Sequence, residues 1–172
     1  MLAKITMVTV ALCAGLASTS LAQSNQFRTS PTVEIQSGWV GFADESTIDH
    51  AAFGGAARFY LTPRLAVGPE VTFLRGPGND RDLMVTGNLT FDVLGPRNGR
   101  PRRVTPYLLA GGGWERHSDR FGPMTFSASE GAFTAGGGAR VWFTDTVYGA
   151  IEARMGWEPH ARLSGGIGVA IR

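Results

Sequence analysis

Hydrophobic and polar residues alternate along most of the chain after residue 30. In the segment 147–157, for example, Ile151 and Met155 fall on one face, whereas Glu152 and Arg154 fall on the other. A period of two is the pattern of a β-strand whose two faces meet different surroundings. Turn residues bound such segments at intervals of about ten residues. We predict strands at 32–42, 51–61, 65–74, 83–94, 105–116, 131–143, 147–157 and 162–171.

The connections between these segments predict an up-and-down arrangement, in which each strand pairs with its neighbours in sequence. Short turns at 62–64 and 144–146 mostly alternate with longer loops, which is the habit of outer-membrane barrels. Two connections depart from this rhythm, because 95–104 is long and 158–161 is short. The expected long loops are 43–50, 75–82 and 117–129.

The composition of the polar face separates a membrane barrel from a soluble sheet. It consists of glycine, alanine, serine and threonine with one or two charges per strand, and the opposite face is aliphatic and aromatic. Small residues would fill a narrow lumen, and the apolar face would meet lipid. We therefore predict an all-β, eight-stranded antiparallel up-and-down transmembrane β-barrel. A secreted ligand-binding barrel of the lipocalin type is the alternative, but its interior would be apolar.

The N-terminus has the features of a secretory signal peptide. Lys4 precedes an apolar stretch at 5–16, and the small residues Ser20 and Ala22 fit a cleavage site. We predict a signal peptide at 1–22 and one barrel domain at 23–172. Because the only cysteine is Cys13, no disulfide is expected in the barrel. No basic block with interleaved aromatics appears, so nucleic acid is not an expected partner.

Two segments resemble the barrel domains of OmpA-type outer-membrane proteins. Residues 105–113, Thr-Pro-Tyr-Leu-Leu-Ala-Gly-Gly-Gly, resemble the Pro-Tyr-x-x-x-Gly-x-Gly strand of that family. Residues 136–154 are similar to its glycine-rich strand, tight turn and following strand with inward Glu and Arg. The resemblance implies a small eight-stranded barrel in the outer membrane. The implied partners are outer-membrane lipids and, during biogenesis, the barrel assembly machinery; no cofactor is expected.

The charged residues on the polar faces form the main candidate site. An isolated charge in a narrow lumen is costly, so these side chains are expected to pair. The turn at 144–146 places position 140 beside 150, which makes Arg140 the expected partner of Glu152. Glu152 and Arg154 lie on one strand, and each is expected to pair with a neighbouring strand instead of with the other. The predicted lumen charges are Glu34, Arg58, Glu70, Asp92, Glu115, Arg140, Glu152 and Arg154, and Arg162 near a strand end would reduce their acidic excess.

This network permits two interpretations, a plug that fills the lumen or a gate that opens a small-conductance pore. We favour the plug, and with it a non-enzymatic outer-membrane protein that contributes to envelope structure or surface interaction. Four arginines crowd the connection 95–104. They would contact lipid phosphates at the periplasmic rim, or simply form a solvated loop. These arginines are Arg97, Arg100, Arg102 and Arg103.

Catalysis and metal binding are not predicted. Some outer-membrane barrels modify lipid A, and their deacylases use a His, a Ser two residues later and an acid. His117, Ser118 and Glu130 are the nearest match, but adjacent strand residues point to opposite faces. His50 and His160 fall in predicted loops far apart in sequence, and no zinc pattern is present.

Overall fold

The protein forms a closed antiparallel barrel of eight strands, in which β1 pairs with both β2 and β8. The computed structural model describes residues 30–43, 47–78, 80–121, 124–157 and 159–171. The predicted fold class is confirmed, whereas the predicted signal peptide at 1–22 lies outside the described residues. The strands are β1 Thr32–Ala43, β2 Thr47–Tyr60, β3 Leu65–Arg75, β4 Arg81–Asp92, β5 Val104–Phe121, β6 Met124–Trp142, β7 Val147–Trp157 and β8 His160–Ala170.

The barrel has two distinct ends. The turn end holds Thr32 and Ala170 together with the connections 61–64, 93–103 and 143–146. The loop end holds the connection 76–80 and the tip of the β5–β6 hairpin. Among the described residues, no helix is long and apolar enough to cross a membrane.

The structure corrects the predicted loop at 117–129. β5 continues to Phe121 and β6 begins at Met124, so residues 117–121 pair with residues 124–128. Each strand supplies the other's backbone hydrogen-bond partners, which lets a polar segment remain a ladder instead of opening into a loop. The loop end therefore carries a long hairpin.

β2, β4 and β8 also begin earlier than predicted, β4 at Arg81 instead of residue 83. β2 begins at Thr47 and β8 begins at His160, so His50 and His160 lie in strands and not in loops. Residues 44–46 of the predicted loop 43–50 lie outside the described residues. Because β8 begins at His160, Arg162 is the third residue of the strand and not the first.

The two faces of the wall have opposite chemistry. On the outer face, Ile35 is 72% exposed and Ile151 is 67% exposed. On the inner face, Glu152 and Arg154 are each only 4% exposed. β5, whose glycine run obscured its faces in the sequence, has Trp114 on the outside and buried Glu115 on the inside.

Inner-face glycines provide room for large inward side chains. Tyr107 pairs with Gly138, where an added Cβ would lie 2.8 Å from the tyrosine hydroxyl. Tyr148 likewise pairs with Gly168, and its ring occupies the space that a Cβ would need. These two glycines therefore leave room inside the barrel for the tyrosine side chains.

The long connection 93–103 forms a small hairpin at the turn end. Arg97 and Arg100 pair with each other across a turn in which Asn98 has a φ of 52° and Gly99 a φ of 72°. Positive φ at both central positions is typical of a type I′ turn, and Asn-Gly is its preferred sequence. This connection and the strand ends line a cavity of about 340 Å³ that includes Tyr60 and Asp92.

The exposed outer face predicts how substitutions depend on membrane depth. Ile151→Arg should lower the free energy of unfolding by about 2–4 kcal/mol, because position 151 is near the middle of its strand and would place a charge in hydrocarbon. Leu61→Arg, at the turn end, is the matched control and should cost only about 0–1 kcal/mol. Urea unfolding in lipid vesicles measures both; equal stabilities of Ile151→Arg and the parent would contradict the assignment of this face.

Candidate functional site in the barrel lumen

Four buried charges meet inside the barrel and form what we call the central cluster. Its members are Glu70 on β3, Glu152 and Arg154 on β7, and Arg162 on β8. Arg154 and Arg162 are register partners on adjacent strands. Two like charges directly opposite each other repel, so this pair requires carboxylates beside it.

Each arginine of the central cluster contacts both glutamates. Arg162 Nη2 lies 2.7 Å from Glu70 Oε1 and 3.1 Å from Glu152 Oε1. Arg154 forms ion pairs with the same two carboxylates through Nη2 and Nε. Two positive and two negative groups therefore alternate, and their formal charges cancel.

Neutral side chains satisfy further atoms of the central cluster. Tyr107 donates a hydrogen bond of 2.9 Å to Glu152, and the Asn88 amide donates one of 3.0 Å to Glu70. Arg162 Nη1 donates a hydrogen bond of 3.1 Å to Thr72. Because these partners lie on β3, β4 and β5, the cluster joins opposite sides of the barrel wall.

A second set, the turn-end cluster, comprises Glu34, Arg58, Asp92 and Arg140. Arg58 Nη1 lies 2.9 Å from Glu34 Oε2, and Arg140 Nη1 lies 2.9 Å from Asp92 Oδ1. The Tyr60 hydroxyl accepts a hydrogen bond of 2.9 Å from Arg140 and donates one of 3.2 Å to Asp92. This cluster also contains equal numbers of positive and negative groups.

Tyr107 connects the two clusters. Its ring centroid lies 4.3 Å from the guanidinium carbon of Arg140 and 5.7 Å from that of Arg58. An aromatic face attracts a cation at such distances, more strongly when both are shielded from water. Since its hydroxyl binds Glu152, one side chain stabilises charges of both clusters.

The expected pairing of Arg140 with Glu152 was wrong. Arg140 does lie beside Ala150, as the turn predicted, but its side chain reaches Asp92 on β4. In a narrow, strongly curved barrel the nearest carboxylate can lie two strands away, which neighbour-strand geometry alone cannot reveal. The expectation that Glu152 and Arg154 would not pair was also wrong, because Arg154 Nε bends back onto Glu152.

Sequence reasoning gave Arg162 only a peripheral part in the network and left the tyrosines out of it. Arg162 was placed at a strand end, but β8 begins at His160, and Arg162 shares the inward face with Ser164. Alternation put Tyr148 on the polar face of its strand but left the face of Tyr107 undecided, and both side chains are buried in the structure. Glu115 is also buried on the inner face, next to Met84 and nearer the loop end.

The positions of the apolar and charged faces distinguish a membrane barrel from a lipocalin. The aliphatic side chains are outside and the ion pairs are inside, which is the reverse of a lipocalin. The family model of the outer membrane protein beta-barrel domain matches residues 9–159. The chain belongs to this family. It is therefore an outer-membrane barrel protein in contact with lipid, and the lipocalin alternative was wrong.

This protein is similar to several solved structures of small outer-membrane barrels. Neisserial surface protein A aligns with a TM-score of 0.71 at 13% identity, over 82% of this chain and 97% of that one. The N-terminal β-barrel domain of Pseudomonas aeruginosa OprF gives a TM-score of 0.64 at 14% identity, over 81% and 97%. Yersinia pestis Ail, in complex with the heparin analogue sucrose octasulfate, gives 0.51 at 14%, over 82% and 95%. A comparison with curated proteins gives no match.

The four arginines of the connection 93–103 are all exposed at the turn end of this outer-membrane barrel. Arg100 Nε lies 3.7 Å from Asp145 Oδ2, and Arg102 Nε donates a hydrogen bond of 2.9 Å to the Gly95 carbonyl. Arg97, Arg100, Arg102 and Arg103 line a shared groove. Contact with lipid phosphates stays a prediction.

The residues weighed for lipid A deacylation do not assemble into a triad. His117 Nδ1 lies 2.6 Å from Asp82 Oδ1 on the inner side of the wall. Ser118 is the next residue of the same strand and therefore points to the opposite side. Glu130 is the register partner of Glu115, not of His117.

The structure also brings together histidines that the sequence analysis treated as separate. His50 and His117, which the sequence separated widely, approach the same two aspartates, Asp80 and Asp82, at the loop end. They come from four segments, β2, the connection 76–80, β4 and β5, which the pairing of consecutive strands and the curvature of the sheet bring together.

Double-mutant cycles can distinguish the observed pairing from the expected one. Arg140→Ala and Asp92→Asn should show a coupling energy of about 0.5–3 kcal/mol, because each removes one partner of the same buried pair. Arg140→Ala with Glu152→Gln should couple more weakly, since these two side chains interact only through Tyr107. Urea unfolding measures both cycles; stronger coupling of Arg140 to Glu152 than to Asp92 would contradict the structure.

Proposed function

We propose that this protein is a non-enzymatic outer-membrane barrel that contributes to envelope structure or surface interaction, and that its two charged clusters close the lumen. The observation that carries the proposal is the contact of Glu70 on β3 with Arg154 on β7 and Arg162 on β8. In a closed barrel of eight strands, β3 faces β7 across the lumen. These ion pairs therefore cross the path that a solute would take.

A second barrier supports closure. The turn-end cluster joins β4 to β6 through Asp92 and Arg140, and Tyr60 from β2 completes it. Arg58 adds contacts with Glu34 on β1 and with Tyr148 on β7, whose hydroxyl it reaches at 3.3 Å. Two successive layers of cross-lumen contacts favour a plug over a gate, since opening a path requires both to rearrange.

The arrangement of hydroxyls and histidines supports a non-enzymatic role. A nucleophile needs its general base within hydrogen-bond reach on the same face. His117 is engaged with Asp82, and its neighbour Ser118 points to the other side of the wall. The acids of the two clusters, Glu34, Glu70, Asp92 and Glu152, are engaged with arginines, which suits a structural network more than proton transfer.

The two ends of the barrel support contacts with the envelope. The β5–β6 hairpin extends beyond the last register pair of β6 with β7, Phe133 and Trp157, and so offers a protruding surface at the loop end. At the turn end, Arg97, Arg100, Arg102 and Arg103 would contact inner-leaflet phosphates, because guanidinium groups bind phosphate through two hydrogen bonds. The barrel assembly machinery would insert the chain.

Planar-bilayer recording with Glu70→Gln tests the plug. Glu70 is the only carboxylate of the central cluster that reaches it from β3, so its loss leaves two buried arginines under-compensated. We expect a parent without steady conductance, and a variant whose unfolding free energy falls by about 3–5 kcal/mol, less where lumen water screens the charges.

Glu130→Gln, which neutralises an exposed carboxylate, is the matched control and should behave like the parent. A steady ion current through the parent would contradict the plug. So would a Glu70→Gln variant with raised conductance and unchanged stability, because a gate and not a plug behaves in that way.

A further inference from the structure

Four side chains that commonly ligate metals converge at the loop end, and we call them the rim cluster: His50, Asp80, Asp82 and His117. His50 Nε2 lies 2.8 Å from Asp80 Oδ2 and 3.5 Å from Asp82 Oδ2. His117 Nδ1 lies 2.6 Å from Asp82 Oδ1 and 3.6 Å from Asp80 Oδ1. Each imidazole nitrogen therefore faces both carboxylates.

The barrel register explains why these residues meet. Asp82 on β4 is the register partner of His117 on β5. Asp80 lies at the end of the connection 76–80, where the Gly76 amide donates a hydrogen bond of 3.1 Å to its carbonyl. His50 on β2 stands one residue before Ala51, the partner of Arg75 on β3. Four adjacent segments thus present one inward side chain each at the same height.

Two further observations point to a ligand within this cluster. Asp80 Oδ1 is buried and accepts no hydrogen bond from the described residues. Gly76 borders the cluster, and a Cβ there would lie 2.5 Å from both Asp80 Oδ2 and His50 Nε2. A glycine at this position keeps the space beside the ligating atoms free of side-chain carbon.

We propose that the rim cluster binds one divalent transition-metal ion of the zinc type. Zinc takes imidazole nitrogen and carboxylate oxygen at about 2.0–2.2 Å in a tetrahedron, which separates ligand atoms by roughly 3.4 Å. The separation of 3.5 Å between His50 Nε2 and Asp82 Oδ2 already matches this value, and His117 Nδ1 lies at a similar distance, 3.6 Å, from Asp80 Oδ1. The two shorter contacts lengthen when the ion replaces the direct hydrogen bonds between histidine and aspartate.

The donor set selects the class of ion. Mg²⁺ and Ca²⁺ prefer ligand sets made wholly of oxygen, whereas two imidazoles with two carboxylates suit zinc and its neighbours in the first transition row. His50, Asp80 and Asp82 each offer one atom within 4.8 Å of the others, and His117 reaches the two carboxylates through their other oxygens. The ion would fasten β2, the connection 76–80, β4 and β5 together at the loop end.

Calorimetric titration of the folded barrel with ZnCl₂ tests the proposal. The mature chain without a histidine tag is folded in detergent micelles, and one ion per chain is expected to bind. His50→Gln and Asp80→Asn should each weaken binding at least tenfold. Asp80 lies on a connection and not in a strand, so its variant retains the barrel, and a gel shift on boiling verifies folding for each variant.

The chain supplies its own matched control, because it contains only three histidines. His160 lies on β8 at the same end, but the Phe42 ring stands between it and the rim cluster, 5.0 Å from His50 and 5.3 Å from His160 between ring centroids. His160→Gln should therefore bind zinc as tightly as the parent. Excess Mg²⁺ should not displace the zinc.

A protease readout gives an independent measurement. Zinc should slow cleavage at the connection 76–80 in the parent and in His160→Gln, but not in His50→Gln. The proposal is overturned if the folded parent does not bind zinc, if His160→Gln loses as much affinity as His50→Gln, or if Asp80→Asn binds as the parent does. In each case the histidine–aspartate contacts are hydrogen-bonded pairs only.

Discussion

A charge enclosed in a narrow lumen has lost most of its hydration, so it requires an opposite charge within direct reach. In this barrel that requirement is met twice, with two arginines and two carboxylates in the central cluster and the same numbers in the turn-end cluster. It also governs the neutral residues. Glycine partners leave room for Tyr107 and Tyr148, and Tyr107 links the clusters through its hydroxyl and its ring.

Along each strand, alternate residues face the lipid and the lumen, so each set must suit a different environment. The outer face contributes membrane contact through aliphatic side chains such as Ile35 and Ile151, whereas the inner face contributes charge pairs that cross the barrel. Because charge pairs occupy the interior, we expect contacts with other molecules at the two ends of the barrel. The loop end carries the projecting β5–β6 hairpin and the rim cluster, and the turn end carries the arginine-rich connection 93–103.

The sequence predicted the strands of the barrel better than the side-chain contacts in its lumen. Alternation and turn residues predicted the eight strands, and the 144–146 turn correctly placed Arg140 beside Ala150. The partner of Arg140 could not be predicted, because Asp92 lies two strands away and comes within reach only where the sheet curves around the lumen. The rim cluster had no signal in sequence spacing for the same reason. Its ligands come from four segments, and the polar composition around His50 and His117 indicated loops where the structure has paired strands.

The central claim is that charge balance, and not the sum of individual bonds, stabilises the lumen. Urea unfolding can test it by comparing Glu70→Gln with a variant that neutralises the whole central cluster, namely Glu70→Gln, Glu152→Gln, Arg154→Met and Arg162→Met. Removing one member of a buried ionic set leaves an uncompensated charge, whereas replacing the whole set by groups of similar volume is often close to neutral. We predict that the fourfold variant has a higher free energy of unfolding than Glu70→Gln alone. A fourfold variant less stable than the single variant would contradict this account.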